Sequence, residues 1–192
     1  MSSTLSIDLV QAHGACRPNC DILRTIFPDG DIVFDMSNFE RVRAAGVNIM
    51  WAACLAPVPI QHELALAWYD RALAIATPPW KASLRKLLET STVGAAADQL
   101  SARLADRRNI DAANSLEVAV SGVGYAAAAL AGKFAEEGQH YTRTMTALVV
   151  MGQWCAQAIA VSEATTMEPV YNEIRAEVWK ALQDHGAILP TP

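Results

Sequence analysis

Apolar side chains along this chain recur mostly at helical spacing, and alternation is scarce. The cleanest stripe lies towards the C-terminal end, in VYNEIRAEVWKALQDH. There Val170, Ile174, Val178 and Leu182 follow at i, i+4, i+8 and i+12. Residues so spaced share one face of an α-helix, so the pattern predicts an amphipathic helix opening at Glu168-Pro169 and closed by Gly186. Upstream, IQHELALAWYDRALAIA predicts a helix over 60–76, with Leu64, Trp68, Leu73 and Ile75 on one broad apolar face. Between these two, Thr77 and the prolines after it restart the chain into a helix reaching about Glu89. Further helices are predicted over 93–107, 110–137 and 139–164.

The N-terminal third is more broken. Ser6 is placed to cap a short helix, SIDLVQAH, stopped by Gly14. Pro18 suits the first turn of a second helix running to about Phe27, and PDG at 28–30 is a turn. DIVFD, 31–35, is the one strand-like run and is expected to be an extended connector. Ser37 with Glu40 three residues on predicts a capping box for NFERVRAA. Gly46 ends or bends that helix, VNIMWAACLA continues as another, and Pro57 and Pro59 mark a break. The fold class expected is all-α: an N-terminal module of short helices, 1–56, packed on an alanine-rich helical bundle, 57–192, as one compact unit.

Composition agrees with that picture. The 192 residues are 52% hydrophobic and 18% charged, enough to build a real core. Alanine, the best helix former, fills between a sixth and a fifth of the chain. A net charge of −5 argues against a broad nucleic-acid surface, and RLADRR at 103–108 reads as a helix C-terminus. No apolar run reaches the ~18 residues of a membrane span; VSGVGYAAAALAG, 120–132, reads as a buried helix with close neighbours. MSSTLSIDLV has neither the positive start nor the apolar core of a secretory signal, so a cytoplasmic location with free thiols is expected.

Candidate chemistry is sparse. His13, Cys16 and Cys20 fall within eight positions. Cysteines at i and i+4 share a helix face, but a zinc site needs a second ligand pair from elsewhere. Apolar Ile22, Leu23, Ile26 and Phe27 surround them in sequence, so packing is the favoured reading, ahead of a metal site or a redox pair. Glu137 and His140 have the E-x-x-H spacing of di-iron carboxylate bundles, yet the chain lacks the second such motif, and Gly138 interrupts the helix between them. A three-histidine site from His13, His62 and His140 is not demanded by any spacing. No nucleophile elbow and no phosphate loop is present. Neither catalytic residues nor a cofactor are expected. The polar candidates for a metal or small molecule held between helices are His62, Glu63, Glu137 and His140. Gly122, Gly124 and Ala126 to Ala129 form a small-residue face, read first as intramolecular close packing and second as a surface for a homo-oligomer.

One stretch resembles a known group. LVQAHGACRPNCDILRTIFPDG followed by NFERVRAAGVNIMWAACLA is similar to an opening module of bacterial and phage proteins: a short helix, G-A-C, an F-P-D-G turn, an A-A-G step and an apolar W-A-A helix. Several of these are identified as immunity proteins of bacterial toxin systems. The likeness covers about the first 75 residues. It implies a non-enzymatic binding protein, an immunity-type or phage-related inhibitor that occludes a toxin or effector protein, and it makes G-A-C and F-P-D-G a structural signature. An acidic chain suits a basic target, such as a nuclease toxin. The alternative is a helical-bundle protein or enzyme that binds a metal or small molecule through the four polar candidates.

Overall fold

The computed structural model describes residues 4–12, 15–75, 123 and 141–188. Within them the fold is mostly α-helical, with one small two-stranded sheet. The chain runs through β1 (Thr4–Ser6), α1 (Ile7–Ala12), α2 (Arg17–Ile26), β2 (Asp31–Val33), α3 (Met36–Ala44), a 3-10 helix (Met50–Leu55), α4 (Val58–Ile75), α5 (Tyr141–Ser162) and α6 (Met167–His185). The helices expected over 93–107 and 110–137, and the glycine–alanine face with them, lie outside the described residues, Val123 excepted.

The sheet corrects the expectation of a lone connector. β2 pairs antiparallel with β1, with Leu5 opposite Ile32 and both side chains buried. Three residues per strand are too few for alternation to be visible in the sequence. The turn that delivers β2 is the F-P-D-G stretch. The Gly30 N–H donates to the Phe27 carbonyl at 3.0 Å, closing a β-turn with Pro28 at its second position. Gly30 itself adopts φ +84°, which a side chain would resist, and its carbonyl accepts the Ile7 N–H at 2.9 Å.

α3 is capped two residues earlier than the capping box predicts. Asp35, extended at φ −140° and ψ 160°, is the N-cap, and its Oδ1 accepts the Asn38 N–H at 2.8 Å and the Ser37 hydroxyl at 2.7 Å. A carboxylate does this better than a hydroxyl, because the helix N-terminus carries partial positive charge. Glu40 is drawn forward to Arg43 instead, at 2.9 Å. The other end closes on a Schellman motif: Val47 N–H to Val42 C=O, and Gly46 N–H to Arg43 C=O, with Gly46 at φ +73°.

VNIMWAACLA forms a 3-10 helix and not the α-helix expected. Pro57 forces Ala56 out to φ −65° and ψ 152°, which stops the helix at Leu55. Met50, Ala52, Ala53, Cys54 and Leu55 are all buried, so this short segment is wrapped on every side. Gln61, itself buried, ties it to α4 by donating to the carbonyls of Cys54 (3.0 Å) and Ala56 (2.7 Å).

The bundle core lies where α5 packs across α4, α6 and the 3-10 helix. Gly152 permits the approach: a Cβ there would sit 2.6 Å from Met50 Cε and 3.2 Å from Ile174 Cγ2. The stripe expected on the last helix is buried throughout, at Val170, Ile174, Val178 and Leu182, and Gly186 closes it at φ +79°. With successive residues turned by about 100°, α6 sends Glu177, Ile174 and Trp179 in three different directions. Glu177 meets α4, Ile174 meets α5, and Trp179 meets the N-terminal module.

Candidate functional site

The N-terminal module is held by small, specific contacts. α1 and α2 form a pair stitched by Arg24, whose guanidinium donates to Asp8 (2.9 Å), Gln11 (2.6 Å) and Asp21 (3.2 Å). Asp8 and Gln11 therefore face α2, while Ile7 and Val10 face the core. Leu9 is turned away from both and is 46% exposed. On α2 the same geometry applies: Cys20 and Leu23 are buried, Asp21 and Arg24 face α1, and Ile22 is turned outward. Leu9 and Ile22 thus sit on opposite outer edges of the pair.

The two cysteines of this segment part company. Cys20 is fully buried, and burial pushes its thiol above the ordinary range. Cys16 is exposed, because it is the N-cap of α2, outside the helix and ahead of Pro18. The reading of both as packed thiols holds for Cys20 and fails for Cys16. All four cysteines are free thiols.

Trp179 is one of the side chains that fasten the module to the bundle. The Trp179 ring lies edge-on to Phe34 at 4.9 Å and tilted on Phe39 at 5.9 Å, and its Nε1–H donates to the Asp35 carbonyl at 2.7 Å. Asp35 thereby serves twice. Its carboxylate caps α3, and its carbonyl receives α6. The hydrogen bond from the Asn38 backbone holds the Asp35 carboxyl below its usual range. At the C-terminal end the Ile188 N–H donates to the Leu55 carbonyl at 2.6 Å, a second tie to the 3-10 helix.

A polar seam joins α4 to α6. The Trp68 indole N–H donates to Glu177 Oε2 at 2.8 Å, and Arg71 holds Glu177 Oε1. Glu173 lies 3.8 Å from the same guanidinium. Both Glu177 oxygens are engaged, so the group serves as a clamp between helices. Cys155 is buried in the same region, and burial pushes its thiol up to about 12, which removes it as a nucleophile near neutral pH. Tyr171 on α6 is also buried, its ring under the Arg175 guanidinium at 4.3 Å. Its hydroxyl lies near Gln153, Asn48 and Arg175 without a well-aligned hydrogen bond to any of them, and burial raises its pKa.

Of the four polar candidates named for a metal or small molecule, His62 and Glu63 are neighbours on α4, and Glu137 and His140 lie outside the described residues. His62 is half-buried, and burial lowers its pKa, whereas Glu63 is exposed. Adjacent helical residues diverge by about 100°, so these two do not converge on one point. Among the described residues no three His, Cys, Asp or Glu side chains cluster as metal ligands, and no helix is long and apolar enough to cross a membrane. Sequence reasoning missed the Glu177 clamp and the Asp35–Trp179 tie. Both join residues more than a hundred positions apart, for which no local spacing exists. Compared with family models, curated proteins and solved structures, the chain matches none of them.

Proposed function

We propose that this chain is a non-enzymatic binding protein, an immunity-type or phage-related inhibitor that occludes a surface of a toxin or effector protein. The observation that carries this reading is how the N-terminal module is built. Part of the segment that bears the resemblance is consumed in structure: Cys20 and Phe27 are buried, Gly30 and Gly46 make left-handed turns, and Trp179 of α6 packs on the module. Exposed apolar side chains remain on the module at Leu9, Ile22 and Met36. A surface held rigid before binding loses little conformational entropy on association, which is what occlusion by a small protein requires. The chain's net charge of −5 favours a basic partner, through faster encounter.

The test is co-expression with the toxic protein encoded beside its gene. Restored growth and a stable complex on size exclusion with light scattering are expected. Leu9→Asp and Ile22→Asp, on opposite edges of the α1–α2 pair, then report which edge the partner covers. Absence of both protection and complex formation with every protein encoded beside the gene refutes the proposal.

A further inference from the structure

We draw no further inference here: the strongest candidate, the side-chain cluster of Tyr171 Oη and Arg175 Nε beneath Gln153 and Asn48 where α5 meets α6, is closed to solvent, and nothing among the described residues shows a ligand or a path that would reach it.

Discussion

Replacing Ala164 by glycine is expected to stabilise the protein. α5 ends as α3 does, on a Schellman motif: Thr165 N–H to Ala160 C=O at 2.9 Å, and Ala164 N–H to Val161 C=O at 3.4 Å. The residue between must take a left-handed conformation. In α3 it is Gly46, at φ +73°; in α5 it is Ala164, at φ +52° and exposed. A Cβ in that conformation crowds the following carbonyl and costs roughly 1–2 kcal/mol. Glycine relieves this but is freer in the unfolded chain, which takes back about 0.5–1 kcal/mol. The balance is a gain of about 0.5–1 kcal/mol, or about 1–4 °C in Tm for a chain of this size. The converse substitution, Gly46→Ala, is the internal control. No atom lies within 4 Å of the Cβ it would add, so no steric clash confuses its sign. It is expected to cost about 0.5–1 kcal/mol, purely through backbone conformation. Urea and thermal unfolding followed by circular dichroism read both variants. If Ala164→Gly lowers the midpoint, or if both variants move it the same way, the reasoning about these two caps is wrong.

Four further expectations follow from contacts already described. Thiol titration of the native protein should show a single fast group, lost in Cys16→Ser, with Cys20, Cys54 and Cys155 slow because they are buried; a second fast thiol refutes this. Trp179→Phe should keep the aromatic packing on Phe34 but lose the indole hydrogen bond to the Asp35 carbonyl, which still accepts the Phe39 N–H at 3.0 Å, costing about 0.5–1.5 kcal/mol, whereas Trp179→Ala adds a cavity and should cost about 3–5 kcal/mol in urea unfolding. Gly152→Leu should overpack the space bounded by Met50, Ile174 and Trp68 and lower stability by about 1–3 kcal/mol or more; an unchanged unfolding midpoint contradicts the close approach. Asp35→Ala should remove the α3 cap at a cost of about 1 kcal/mol near neutral pH. Because the folded-state pKa of Asp35 is depressed, its charge-dependent stabilisation is fully present above the usual carboxyl range and is lost as pH falls through the folded value. The difference between wild type and variant should therefore shrink in acid, and a difference that grows there refutes the cap.

Periodicity made α6 legible in full, because its stripe is long and one face is buried. It also placed α4 and α5 to within a few residues. The shorter elements were read less well, each for its own reason. Asp35 and Ser37 are both good caps two positions apart, and local rules do not rank them; the helix charge does. The 3-10 helix is apolar on every side, so it carries no stripe from which to tell it apart from an α-helix. Cys16 was read as sharing a packed helix face with Cys20 at i, i+4, although Pro18 in the first turn already puts Cys16 at the helix edge. β1 was invisible and β2 was read as an extended connector, because three-residue strands gain their meaning only from one another. Of the polar candidates, His62 and Glu63 were found as residues but not as a site, since adjacent helical positions diverge.

α6 explains why a boundary at residue 56 does not separate two independently held parts. Its Glu177 is clamped by Trp68 and Arg71 of α4, its Ile174 packs where Gly152 of α5 leaves room, and its Trp179 is bonded to Asp35 and packed edge-on to Phe34 and tilted on Phe39. These three residues span only six positions but are fanned around the helix at about 100° per residue, so one short segment touches three neighbours at once. Loosening the N-terminal module exposes Trp179, and loosening α4 leaves the Glu177 carboxylate without its partners. Either event costs several kcal/mol at the same helix, which couples the module to the bundle. That coupling holds Phe34, Asp35 and Phe39 in place on α6, and the proposed occlusion rests on it.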